Sequence, residues 1–161
     1  MSTQGIVGAA LVLLSAVILI RAYSAFLKKR RTEGEELYRF LLHITSGVRR
    51  SLATPEALAR DFSSDSEEMS RFLNLVAQEK ELSFAYSAVG FSLSREAGEL
   101  FSSLFSGFGK NYLEAEVARL EDYARSISEL LSKERDEGER SERAVRAAII
   151  AVALGAVILL I

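Results

Sequence analysis

Cysteine is absent from this 161-residue chain, which excludes disulfides, thiol catalysis and cysteine-ligated zinc. The absence is compatible with a reducing cytoplasm. Histidine occurs once, at His43, which excludes a multi-histidine metal site, and no motif in the sequence sets a serine beside it as a nucleophile. Beside Ile44 on an apolar-faced segment, His43 is expected to be an ordinary boundary residue. There is one proline and no tryptophan, which suits a helical chain. A basic excess is missing as well: 20 Lys and Arg against 22 Asp and Glu give a net charge of −2, unlike a general nucleic-acid binder. Gly90, Gly98, Gly107 and Gly109 form no phosphate-cradling loop between a strand and Lys-Ser/Thr, and Gly109-Lys110 is only a fragment of one. The acid pairs Glu35-Glu36, Glu67-Glu68 and Glu121-Asp122 fall near expected helix starts or on solvated faces. Their adjacency alone points to neither a glycosidase nor a metal centre. The expectation is therefore no catalysis, no cofactor, no metal and no small-molecule substrate.

Two uncharged apolar runs, residues 6–20 and 147–161, lie at the ends. Each strict run is 15 residues, short of the roughly 20 that cross a hydrocarbon core. The neutral residues 1–5 extend the first, and Ala144-Val145-Arg146 extends the second, with Arg146 able to snorkel to headgroups. Short buried core helices are the alternative, but charge stops abruptly at both boundaries. Residues 5–26 and 144–161 are thus expected to be transmembrane helices around a soluble domain at 27–143. Arg21 and Lys28-Lys29-Arg30-Arg31 follow the first run, and Arg140, Arg143 and Arg146 precede the second. The positive-inside rule then places the domain in the cytoplasm and both termini across the membrane. A cleaved signal peptide ending near Ala22-Tyr23-Ser24 is disfavoured, because the basic cluster follows the apolar run instead of preceding it. Gly8, Ala9 and Ala10 in the first span, and Ala151, Ala153, Gly155 and Ala156 in the second, permit close helix approach within one chain or between chains.

Between the runs the periodicity is helical. Thr32-Glu33-Gly34-Glu35 has capping-box spacing, and Leu37, Phe40, Leu41, Ile44, Val48 and Leu52 then recur at three- and four-residue steps. Thr54-Pro55-Glu56 starts a short helix carrying Leu58. Ser64 to Glu67 repeats the capping-box spacing ahead of Phe72, Leu73 and Val76. A helix is expected over 82–89, and another after Ser94, ending at Gly107-Phe108-Gly109. Asn111 can cap the last element, whose Leu113, Val117, Leu120, Ala124, Ile127 and Leu131 form a heptad-like stripe. Over 132–143 the stripe gives way to acid-then-base pairs at i, i+4: Glu129–Lys133, Asp136–Arg140, Glu139–Arg143 and Glu142–Arg146. Residues 112–161 are then expected to form one helix, or one with a soft point near Gly138, with a polar linker as the alternative. Phe84, Phe91, Phe101, Phe105 and Phe108 are expected to fill a core. Arg49 and Arg50 form a candidate surface for acidic lipid or protein, against a plain solvated helix end. The fold class is all-α: an antiparallel bundle of five or six helices between two transmembrane helices.

The order of these features resembles the stage III sporulation protein AB family, whose soluble part resembles the cytoplasmic domain of type II secretion protein F. The resemblance rests on the span at 5–20, the basic Lys28-Lys29-Arg30-Arg31, the helix at 37–52 and Thr54-Pro55-Glu56-Ala57-Leu58. It continues through Phe108-Gly109, the helix at 113–131 and the terminal Leu154-Gly155-Ala156-Val157-Ile158-Leu159-Leu160-Ile161. Departures exist. Val48-Arg49 and Ser51-Leu52 replace the family's Glu-Ile and Tyr-Gly, Tyr112 and Glu116 replace an Asp and a Gln, and Glu142-Arg143-Ala144-Val145 replaces a Lys-Met-Tyr-like stretch. The resemblance implies a non-catalytic platform of a secretion-like complex in endospore formation. It would sit in the mother-cell membrane beside a secretion-type ATPase and other channel proteins, with homo-oligomerisation open. A coiled-coil adaptor dimerising through 113–131, or a subunit whose active site a partner completes, are the rival classes.

Overall fold

A computed structural model describes the backbone of residues 3–51 and 54–160, and the side chains of 7–50 and 54–159. Leu52 therefore lies outside the described residues. Among the described residues there are six helices and no strand: α1 (Thr3–Ser51), α2 (Pro55–Asp61), α3 (Glu67–Ala77), α4 (Leu82–Val89), α5 (Arg95–Ser106) and α6 (Leu113–Leu160). The chain divides into two compact units, Met1–Lys28 with Glu134–Ile161, and Lys29–Lys133. The helices α1 and α6 each contribute to both.

In the 29–133 unit, local chemistry sets most of the helix starts. Thr54 caps α2, accepting from the Ala57 amide with Pro55 at the first helical position, and Ser94 caps α5 by accepting from the Ala97 amide. The core gathers the fully enclosed Phe40, Phe72 and Phe101 with Leu37, Leu41, Ile44, Met69, Leu104, Leu120 and Ile127. Phe40 and Phe72 meet edge-on with centroids 5.5 Å apart, a geometry aromatic quadrupoles favour. Here α1 and α6 run in opposite senses, since Gly34 meets Leu131 while Arg49 pairs with Glu121. Two glycines permit close approach. A Cβ on Gly34 would stand 2.9 Å from the Leu131 side chain, and one on Gly47 would stand 2.3 Å from that of Leu58.

Several local expectations are corrected. Thr32 caps nothing, because α1 is continuous from Thr3 to Ser51. Without a proline the hydrogen-bond ladder runs on, and Glu33 and Gly34 are buried as part of the packed face. Ser66, not Ser64, caps α3 by accepting from the Met69 amide, while the Ser64 hydroxyl donates to Glu36 at 2.7 Å. Asn111 is not the cap of α6; its side-chain amide donates to Glu116 instead. Gly107-Phe108-Gly109 does end α5, with Gly107 as its C-cap and Gly109 as the left-handed residue, φ 75°. Phe84 is 54% exposed, since Leu82 and Ala85 take the inward positions of the short α4. Of the two readings of the last element, the structure has the single helix, with α6 continuous through Gly138.

The terminal unit is built differently. Val12, Ala16, Ile20, Tyr23 and Leu27 of α1, and Glu142, Val145, Ile149, Ala153 and Ala156 of α6, form shielded seams at helical spacing. The outward faces are aliphatic and uncovered. Among the described residues one helix, over Val7–Arg50, is long and apolar enough to cross a membrane, and its apolar stretch is not buried within the protein.

Candidate functional site

The seam of the terminal unit is fixed by a polar clasp just beyond the apolar stretch. Ser24 donates to Glu142 Oε1 at 2.6 Å, Arg146 pairs with that carboxylate and reaches the Ser24 hydroxyl at 3.1 Å, and the Tyr23 and Ser141 hydroxyls lie 2.9 Å apart. The clasp opposes residues 23–24 to 141–146, so the two segments are antiparallel. Deeper along the same unit, Leu11, Val12, Ser15, Ala16 and Leu19 face Ala148, Ile149, Val152, Ala153 and Ala156 across an apolar groove of about 490 Å³. Ser15 donates its hydroxyl to the Leu11 carbonyl at 2.9 Å, the i−4 back-bond that serine makes within a helix. Of the small residues singled out for packing, Gly8 is half-buried, whereas Ala10 and Gly155 are exposed. A Cβ on Gly155 would meet nothing within 4 Å, so Gly155 makes no close approach within the chain. Ala153 and Ala156, also among the small residues singled out, do line the seam.

The basic run is divided in its roles. Lys28 is exposed. Lys29 reaches Glu68 at 2.5 Å and Glu33 at 3.6 Å. The Glu68 hydrogen bond raises the Lys29 ammonium above its usual range, and the same bond lowers the Glu68 carboxyl. Arg30 and Arg31 both have partners within the protein. The run thus supplies charge and also ties α1 to α3.

Buried carboxylates are the feature the sequence concealed. Glu33, 2% exposed, accepts the Ser92 amide and holds the α4–α5 loop against α1. Glu36 receives the Ser64 hydroxyl ahead of α3. Glu116, 4% exposed, is the hub of the turn before α6. It accepts from the Gly109 amide at 3.2 Å, from Asn111 at 2.9 Å and from Arg119 at 2.6 Å. Burial alone would push the Glu116 carboxyl up, yet the donors from Arg119, Asn111 and Gly109 outweigh it and bring it below its ordinary value. Arg119 also donates to the Leu104 carbonyl, tying α5 to the hub. Burial pushes the Tyr86 hydroxyl up to about 12, so it stays protonated and donates to the Gly98 carbonyl. His43 rests against the Phe62 ring, centroids 5.5 Å apart. Among the described residues no group of three His, Cys, Asp or Glu could hold a metal.

Arg49 and Arg50 are both exposed, on the last turn of α1. Arg49 pairs with Glu121 of α6, while Arg50 has no hydrogen-bond or ionic partner among the described residues. Both border a shallow groove of about 360 Å³ with Leu42, Thr45, Ser46, Glu121 and Ala124. Among the described residues the terminal unit thus presents an aliphatic exterior and a polar clasp, and the 29–133 unit a groove with a basic rim.

No curated relative and no solved structure matches the chain. A family model does, that of stage III sporulation protein AB, and it aligns with residues 5–161, from the first apolar run through the last. A match of that extent takes in both units and all six helices, so the chain belongs to the stage III sporulation protein AB family and has a role in sporulation.

Proposed function

We propose that this protein is held in the bacterial cell membrane by both terminal segments and presents its 29–133 unit in the cytoplasm as a non-catalytic platform. The observation that carries this reading is the aliphatic exterior of the terminal unit. Leu14 and Ile18 are each 58% exposed and Val152 74%, on helices whose seam is held by its own clasp. Large uncovered apolar faces mark contact with lipid or protein, not water. Segments of about 20 residues, tilted or flanked by snorkelling Arg146, are long enough to span. Arg21, Lys28, Arg140 and Arg143 at the polar ends favour the cytoplasmic placement of the helical unit. With the family's place in stage III of sporulation, the platform would serve a secretion-like channel of the mother-cell membrane. Its partners would be a secretion-type ATPase and other channel components, and its helical unit would form an antiparallel bundle like that of type II secretion protein F.

The coiled-coil adaptor is the weaker reading, because Leu120, Ala124 and Ile127 of the heptad-like stripe are buried in the chain's own core. The absence of cysteine makes the topology directly testable. Single cysteines placed near residue 3, at Ser64 and after Ile161 are treated in intact cells with a membrane-impermeant maleimide. Only Ser64→Cys should be shielded; labelling of that position from outside overturns the cytoplasmic placement. Recovery of the full chain in the supernatant after membranes are pelleted would remove the anchor altogether.

A further inference from the structure

We infer that the groove bordered by Arg49 and Arg50 docks a second copy of this chain, through the segment Tyr112-Leu113-Glu114 at the start of α6. The groove has an apolar floor, with Leu42 44% exposed and Ala124 beneath it, and a cationic rim. One rim cation, Arg49, is already neutralised by Glu121, whereas Arg50 has no ionic partner among the described residues. An occupant should therefore bring an apolar group and one carboxylate.

The same 29–133 unit displays such a segment. Tyr112 is 93% exposed and Leu113 41%. Glu114 is exposed and has no hydrogen-bond or ionic partner among the described residues. Neither feature contributes to the core, and the turn that carries them is held in place by the Glu116 hub. A tyrosine brings a large apolar body and a polar tip at low conformational cost, which is why it anchors interfaces. In a two-fold dimer the contact is reciprocal. Tyr112 and Glu114 of each copy meet the groove and Arg50 of the other, so every pair occurs twice. This arrangement gives the proposed platform a paired form; it rests on the folded 29–133 unit, and only its biological setting depends on that reading.

The test uses the full chain in detergent micelles, measured by sedimentation equilibrium. Arg50→Glu and Glu114→Arg should each weaken dimerisation about three- to thirtyfold, the effect of an exposed ion pair counted twice. The combined Arg50→Glu/Glu114→Arg chain restores the opposite charges and should recover the dimer. Arg50→Cys/Glu114→Cys in the otherwise cysteine-free chain should give a disulfide-linked dimer under mild oxidation. A monomeric wild type, single reversals without effect, or a combined reversal that fails to recover would each overturn the inference. These results do not depend on membrane topology, so failure here is distinguishable from failure of the platform.

Discussion

In the 29–133 unit Phe40, Phe72 and Phe101 are wholly enclosed, whereas in the terminal unit Leu11, Leu14, Ile18, Val152 and Ile158 stand at least 58% exposed and only Ala153 is buried among the described residues. The side chains are equally apolar, so hydrophobicity alone does not explain their opposite placement. Water drives large side chains inward and leaves charge outside. Where lipid is the solvent the inside has no such advantage, and small residues with a few polar contacts hold helices together instead. The seam of Ala16, Ala153 and Ala156 with the Ser24–Glu142–Arg146 clasp matches the second regime, and the aromatic cluster matches the first.

The sharpest way to break this contrast is to truncate one large side chain in each unit. Phe72 touches Phe40, Phe91 and Phe105, so Phe72→Ala should cost about 3–5 kcal/mol in the unfolding of the 29–133 unit. Ile18→Ala, on an exposed position, should leave that unfolding unchanged. Urea titration of the full chain in micelles, followed by tyrosine fluorescence, reads both. Equal losses would mean that the terminal unit is packed like a soluble core.

The second expected effect belongs to the terminal unit. Leu14 lies mid-run and outward, and a charge there should cost about 2.5–3.5 kcal/mol of membrane insertion. Leu14→Lys should lower the inserted fraction in a translocon-coupled assay, while Leu42→Lys, also at an exposed position but in the 29–133 unit, should not. Insertion unaffected by Leu14→Lys would remove lipid from the explanation.

What the sequence disclosed follows the reach of each signal. Caps at Thr54 and Ser94 act within three residues, so they were legible, as was the apolar face of α1 over Leu37, Phe40, Leu41 and Ile44. The short patterns at Thr32, Ser64 and Asn111 resembled caps equally well, yet the continuity of α1 in the first case and competing carboxylates in the other two decided otherwise. Glu36 engages Ser64 from 28 residues away, and Glu116 captures Asn111. Burial of Glu33 was invisible for the same reason, since its partner Ser92 is 59 residues distant. A periodic pattern reveals which face is apolar, but not which carboxylate on its border will find donors. The placement of Ala10 and Gly155 outside the seam is a further example: small residues license close approach on any face of a helix, and the choice belongs to the partner helix.

Glu116 offers a finer test of the buried polar contacts of the 29–133 unit. Its carboxyl lies below the ordinary value of 4.5. A folded value lower than the unfolded one adds stability that is complete above the unfolded value and is lost as pH falls through the folded one. Glu116→Gln should therefore lower stability by about 1–3 kcal/mol at neutral pH, through donors left poorly matched. It should also flatten the decline of stability below about pH 4.5. Urea midpoints measured across that range check both parts. An unchanged acid slope would assign the decline to other carboxylates, the Lys29-paired Glu68 foremost.

The smallest effect concerns Gly138, in the part of α6 that belongs to the terminal unit. A Cβ there would meet nothing within 4 Å, and the residue sits inside a continuous helix. Gly138→Ala should therefore stabilise, by up to about 1 kcal/mol, because alanine loses less backbone freedom than glycine on entering a helix. The gain should appear as slower amide exchange over 134–142 and leave the 29–133 core unaffected. If protection rises instead across the phenylalanine core, the two units open together, and the contrast between them is one of composition and not of independent stability.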